Sequence, residues 1–178
     1  MSDLFKAKAG SDEVELSLTD LANMDMDSVQ EVHSSGGLPQ GNYLFESQGG
    51  KLELLEINDA KRAVMKFTLK VLQVGALAKS KWVDVPAPNT AEFSEFSETL
   101  LGKEYTESFF INDVMQDAGR IKAFLSLTGF KGSGSLQEVC AAHAGTRFMA
   151  PIKHSKNKND DDKWYTNIVR DKIAPVEA

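Results

Sequence analysis

The chain has 178 residues and a mass of 19.5 kDa, which fits one domain with a tail. Its 42% hydrophobic content is enough for an ordinary core, but no apolar run could span a bilayer and the N-terminus has no apolar signal core. One cysteine, Cys140, excludes a disulfide framework and any cysteine-rich zinc site, and a net charge of -6 excludes a uniformly basic binder of nucleic acid.

Residues 1–40 carry all of that net charge. Asp3, Asp12, Glu13, Glu15, Asp20, Asp25, Asp27 and Glu31 stand against only Lys6 and Lys8. This part lacks a strong period, although "LTDLANMDMDSVQEV" could form a short helix capped by Thr19. "HSSGGLPQG" then breaks any structure. Residues 1–37 are therefore expected to be an acidic, partly disordered arm, residues 38–172 the folded domain, and residues 173–178 a short tail.

From Gly41 the pattern turns to β. "NYLFES" and "KLELLEIND" are two runs around Gly49-Gly50, a hairpin turn or a bulge in one bent strand. "RAVMKFTLKVLQV" is the clearest strand. Met65, Phe67, Leu69 and Val71 alternate with Lys66, Thr68 and Lys70, which predicts a half-buried strand with a basic outer face. "KWVDV" could extend the sheet before the loop "PAPNT". "SEFSETLLGKE" is irregular or a short helical turn ending at Gly102, and "YTESFFI" is a further strand.

The period then lengthens. "DVMQDAGRIKAFLSLTGF" predicts a helix that buries Met115, Ile121, Phe124, Leu125 and Leu127 and stops at Gly129. "KGSGS" reads as a linker. "LQEVCAAHAG" predicts a second short helix, with Ser135 as cap, Glu138 in the capping box and Gly145 as stop. Two more strands follow, "RFMAPIKH" and "WYTNIV", around the polar stretch "SKNKNDDDK". The expected class is mainly β with α: a five-stranded, OB-like Greek-key barrel with one helix plus a short helix between strands 3 and 4. A half-open sandwich or another α+β roll would produce much the same string.

Catalysis finds little support. There is no G-x-x-x-x-G-K-S/T phosphate loop, no H-E-x-x-H and no G-x-S-x-G elbow. His33, His143 and His154 are scattered. His143 lies at a helix end, where a positive charge suits the dipole. Cys140 falls on an apolar helix side and reads as a buried, inert thiol. "DDD" at 160–162 lacks the spacing of a calcium loop, so a solvated turn is expected there. The reading is a binding protein, with no enzyme activity, cofactor or metal.

"LPQGNYLFES", "AVMKFTLKVLQV", "GRIKAFLSLTGF", "GTRFMAPIKH" and "WYTNIV", in that order, resemble the single-stranded-DNA-binding proteins of phage replication and recombination modules. The resemblance covers about residues 38–170. It implies an OB-fold, a first strand opened by "LP-x-G-x-Y", and a final hairpin framed by "G-x-R/K" and "Y-x-N-I". It also implies a protein of the host cytoplasm with no membrane contact, acting beside phage replication or recombination proteins. A homo-oligomer is compatible with it. The C-terminus "RDKIAPVEA" departs from the acidic tail that many such proteins carry.

Single-strand sites combine a positive groove along the backbone with aromatic rings under the bases. The candidates are Lys66 and Lys70 on the basic strand, Arg147 and Lys153 after Gly145, and Lys156 and Lys158 on the final hairpin. Trp82, Trp164 and Tyr165, each close to lysines, are the candidate rings. Trp164 and Tyr165 are neighbours on one strand, so one should face the core and the other solvent. The rival readings are a phage structural or assembly protein that uses the barrel for protein contacts, and an acidic DNA mimic acting through the arm.

Overall fold

The structure, a computed structural model, describes residues 4–9, 12–17, 37–160 and 164–177. The chain divides into two compact units, Met1–His33 and Ser34–Ala178. In the first, β1 (Leu4–Ala9) pairs antiparallel with β2 (Asp12–Ser17), from Leu4 opposite Ser17 to Ala9 opposite Asp12. The expected arm thus contains a two-stranded hairpin. The helix considered at 18–32 lies outside the described residues.

The second unit opens with β3 (Gln40–Ile57) and β4 (Ala60–Ala78), a long antiparallel pair. Asn58 and Asp59 make the two-residue turn between them, both at positive φ (51° and 63°). That is the turn whose twist matches the flanking strands. The Gly49-Gly50 ambiguity resolves as a bulge in one strand. Ser47 is opposite Leu69 and Gly50 opposite Phe67, so Gln48 and Gly49 together face the single Thr68. At Gly50 a Cβ would lie 2.7 Å from the Phe67 ring and 2.9 Å from the Cys140 Cβ, which only glycine avoids. In β4 the alternation holds: Met65, Phe67, Leu69 and Val71 are buried.

"KWVDV" does not extend the sheet. The Ser80 hydroxyl accepts hydrogen bonds from the Trp82 and Val83 amides (3.3 and 3.1 Å), which turns the chain out of the ladder. The next segment is a full helix, α1 (Ala91–Leu100), capped by Thr90, whose Oγ1 accepts from the Phe93 amide at 3.1 Å. Then come β5 (Glu104–Ile111), α2 (Val114–Leu127) and α3 (Leu136–Ala142). The α3 capping box forms as expected between Ser135 and Glu138. Ile121, Phe124 and Leu125 of α2 enter the core, but Met115 and Leu127 are exposed. Each is six residues from Ile121, about one and two-thirds turns, and so points away from the buried stripe.

The chain closes with β6 (Arg147–Lys156), β7 (Trp164–Ile168), a 3-10 turn at Arg170–Lys172 and β8 (Ala174–Pro175). The sheet has six strands in the order β5-β4-β3-β6-β7, all antiparallel, with β8 beside β6. The class is therefore mainly β with helices, built on an open ladder. Side chains span the gap between its terminal strands. The Tyr105 hydroxyl on β5 donates to Glu107 Oε2 (2.8 Å) and accepts from the Ile168 amide on β7 (3.4 Å). Arg170, just beyond β7, holds buried Glu107 Oε1 through Nε at 2.9 Å and also through Nη2. Its guanidinium lies 4.1 Å from the Phe109 ring centroid. Burial, then the neighbouring Glu107 carboxylate, push the Tyr105 phenol far above its ordinary pKa.

Candidate nucleic-acid interface

The end of the β6–β7 hairpin gathers most of the sequence candidates. Lys153 pairs with Asn167, His154 with Thr166, Ser155 with Tyr165 and Lys156 with Trp164. Strand alternation then sorts the faces. Trp164, Thr166 and Ile168 turn toward the body of the fold. Tyr165 and Asn167 turn outward with Lys153 and Ser155. Tyr165 is 53% exposed, so it is the outward ring of the Trp164-Tyr165 pair. Its hydroxyl accepts from Asn157 Nδ2 (2.9 Å), and Asn167 Nδ2 donates to Ser155 Oγ (2.8 Å).

Beneath this face lies a tryptophan pair. The Trp82 and Trp164 rings stack at 5.8 Å between centroids and 16° between planes. His154 lies 4.2 Å from Trp164 and 6.2 Å from Trp82. A carbonyl can only accept, so His154 Nε2 carries the proton it donates to the Leu38 oxygen (2.8 Å). In the neutral ring Nδ1 then accepts from the Ser80 hydroxyl (2.9 Å). The His154 amide also donates to Gln40 Oε1 (2.9 Å). Three distant segments are tied here: the entry to β3, the turn after β4, and the β6–β7 hairpin. One face of each indole is therefore turned to the other. Of the three candidate rings, Tyr165 is the exposed one.

The same end carries Lys79 and Lys81 beside the Ser80 turn, and Lys153, Lys156 and Lys158 on the hairpin, all exposed. The acids in these two segments, 79–85 and 153–160, are Asp84 and Asp160. Lys81 Nζ sits 5.9 Å from the Trp82 ring centroid. Asp161, Asp162 and Lys163 lie outside the described residues.

The other three candidates lie elsewhere on the sheet, next to carboxylates. Lys70 stands opposite Glu46 on β3 and Glu104 on β5. Arg147 Nε donates to Glu46 Oε2 (2.9 Å), and Lys66 Nζ pairs with Glu53 Oε2 (2.9 Å). Lys66 lines a cavity of about 330 Å³ at the Gly49-Gly50 bulge, shared with Gln48, Lys51, Glu53, Thr68 and Thr106.

Sequence reasoning missed Ser80 and His154. Their partners lie 74 and more residues away, and no local pattern marks such a tie. The alternation of β6 was the one available signal that His154 faces inward. His143 corrects the expectation of a positive helix end. It is fully buried, between Ser47 Oγ at 2.7 Å and Thr128 Oγ1 at 2.9 Å. Burial pushes its pKa down to about 4, so it is neutral at pH 7. Cys140 is buried as expected, and burial pushes its thiol up to about 11.

Among the described residues no three His, Cys, Asp or Glu side chains converge as metal ligands, and no helix is long and apolar enough to cross a membrane. No protein-family model matches the chain, and no curated protein matches its sequence. Fold and site together define a class, a mainly β domain with two helices between its third and fourth long strands and a lysine-rich hairpin end that displays one tyrosine.

Proposed function

We propose that the protein binds single-stranded DNA without sequence preference and without chemistry, as a coat on strands exposed during phage replication or recombination in the host cytoplasm. The observation that carries the reading is the hairpin end. Five exposed lysines from two chain segments lie at the end that displays Tyr165, which shares its outward face with Lys153, while Trp82, Trp164 and His154 pack together on the other face. Cations along a backbone track, with a ring for a base, are what a single strand requires. Every base has a π-face, so stacking on Tyr165 would not select sequence.

The finer fold belongs to the same reading. The five main strands follow an OB-like order, with α2 and α3 between β5 and β6. The Tyr105, Glu107 and Arg170 bridge favours a sheet coiled into a barrel whose last seam is held by side chains.

The test is a titration of poly-dT and of an equivalent duplex at low salt, read by mobility shift. The reading expects a shift with poly-dT at lower protein concentration than with duplex. No shift with either would sink it. One observation favours the rival assembly role. Leu54 is 75% exposed at the far end of the β3–β4 pair, and Leu52, 41% exposed, lies two residues away on the same face of the strand. If that role is the right one, DNA binding is absent and Leu54→Ser changes the association state.

A further inference from the structure

The bulge at Gly49 makes a second feature of the outer sheet face. Gln48 and Gly49 oppose Thr68 alone, and Gly49 contributes no side chain. The gap is the cavity of about 330 Å³ described above, at the small end of ligand pockets, which run from about 300 to 1,000 Å³. Bulges of this kind recur beside functional sites, where they re-aim side chains.

Its lining has an unusual charge arrangement. Lys51 stands directly opposite Lys66 across the β3–β4 ladder. Like charges in that position repel and weaken a sheet. Glu53 answers only one of them. Its carboxylate pairs with Lys66 at 2.9 Å, and that hydrogen bond, with the field of both lysines, holds its pKa below the usual range. Two ammoniums and one carboxylate leave one positive charge facing the cavity. Thr68 and Thr106, opposite each other on β4 and β5, line it with hydroxyls that can donate.

We infer that this cavity is a seat for one phosphodiester of a bound strand, held by Lys51 and Lys66 with Thr68 and Thr106 as donors. A phosphodiester carries a single negative charge and leaves the cluster neutral, whereas a phosphate monoester near pH 7 would overcompensate it. The inference rests on the nucleic-acid reading and adds a contact away from the hairpin end.

The test uses the full chain, a fluorescent dT oligonucleotide, and anisotropy over a range of salt. Lys51→Ala should weaken binding and reduce the slope of log affinity against log salt by about 0.7, the share of one phosphate contact on a single strand. Glu53→Gln removes the competing carboxylate and should tighten binding about two- to fivefold, the scale of one partly exposed charge. A purely structural role for Glu53 predicts no tightening. Both variants should stay folded and melt near the parent, Lys51→Ala slightly higher because it relieves the repulsion with Lys66 and Glu53→Gln slightly lower because it removes the ion pair. If the parent binds the oligonucleotide and neither variant changes affinity or slope, the seat is wrong and the wider reading stands. If the parent binds no oligonucleotide at any salt, both fail together. If dTMP fills the cavity while Lys51→Ala leaves oligonucleotide affinity unmoved, the cavity is a mononucleotide site and the strand assignment is overturned.

Discussion

Tyr165 and Trp164 are adjacent in sequence, yet their replacement should produce opposite phenotypes. Tyr165 is 53% exposed, and among the described residues its hydroxyl is bonded by the side-chain amide of Asn157. Tyr165→Ala should therefore cost about 1 kcal/mol of stability or less. If the ring stacks on a base, the same change should remove about 1–3 kcal/mol of binding, or roughly 5- to 150-fold in affinity. Trp164 is half-buried, stacked on Trp82 and 4.2 Å from His154. Full burial of a tryptophan would put its truncation at about 3–5 kcal/mol. Half of that, plus roughly 1 kcal/mol for the lost aromatic pair, gives about 3 kcal/mol for Trp164→Ala. Urea unfolding followed by circular dichroism reads the stability, and anisotropy of a labelled dT oligonucleotide reads the binding. The reasoning is refuted if Tyr165→Ala unfolds as easily as Trp164→Ala while binding DNA like the parent.

Other perturbations test separate links. The Trp82 indole N–H is buried with no acceptor among the described residues, so Trp82→Phe should keep the ring stack and cost under about 1 kcal/mol in urea unfolding, whereas Trp82→Ala should cost clearly more. His143 is buried with its pKa lowered to about 4, so the folded state resists a proton that the unfolded state accepts near pH 6.5. Stability from this group should be complete above about pH 6.5 and decline toward pH 4, by on the order of 3 kcal/mol; a flat profile across that window, measured by urea unfolding, would contradict the assignment. Removal of residues 1–37, which carry the net charge of -6 of the whole chain, should leave the larger unit folded and raise DNA affinity at low salt. A truncation that loses its circular dichroism signal would show that the N-terminal segment belongs to the fold.

Local patterns carried the readings that held. The alternation from Met65 to Val71 needs only the two-residue strand period, and the Ser135-Glu138 box needs only a four-residue window. Where a long-range tie decided the outcome, the chain alone was ambiguous. "KWVDV" has the composition of a strand, but Ser80 is fixed by His154, 74 residues on, and the backbone turns there instead. Met115 and Leu127 are apolar and helical, yet the helix rotation sets them away from the core. The Gly49-Gly50 pair allowed a turn or a bulge, and the close approach of Phe67 and Cys140 selected the bulge. The site divides in the same way. That lysines and aromatic residues cluster on the last hairpin was legible. That Trp82 and Trp164 turn toward each other, and leave Tyr165 outward, depends on contacts across 82 positions.

The central claim is that the β6–β7 hairpin end holds the phosphate backbone of a single strand. Its most direct test is the salt dependence of dT oligonucleotide binding, compared between the parent and Lys153→Ala/Lys156→Ala/Lys158→Ala. Each phosphate contact on a single strand contributes about 0.7 to the slope of log affinity against log salt, so three lysines should account for roughly 2. The account predicts that the triple variant binds more weakly at low salt, with a slope shallower by about that amount and an unchanged melting temperature. A triple variant that matches the parent in affinity at every salt concentration would contradict it.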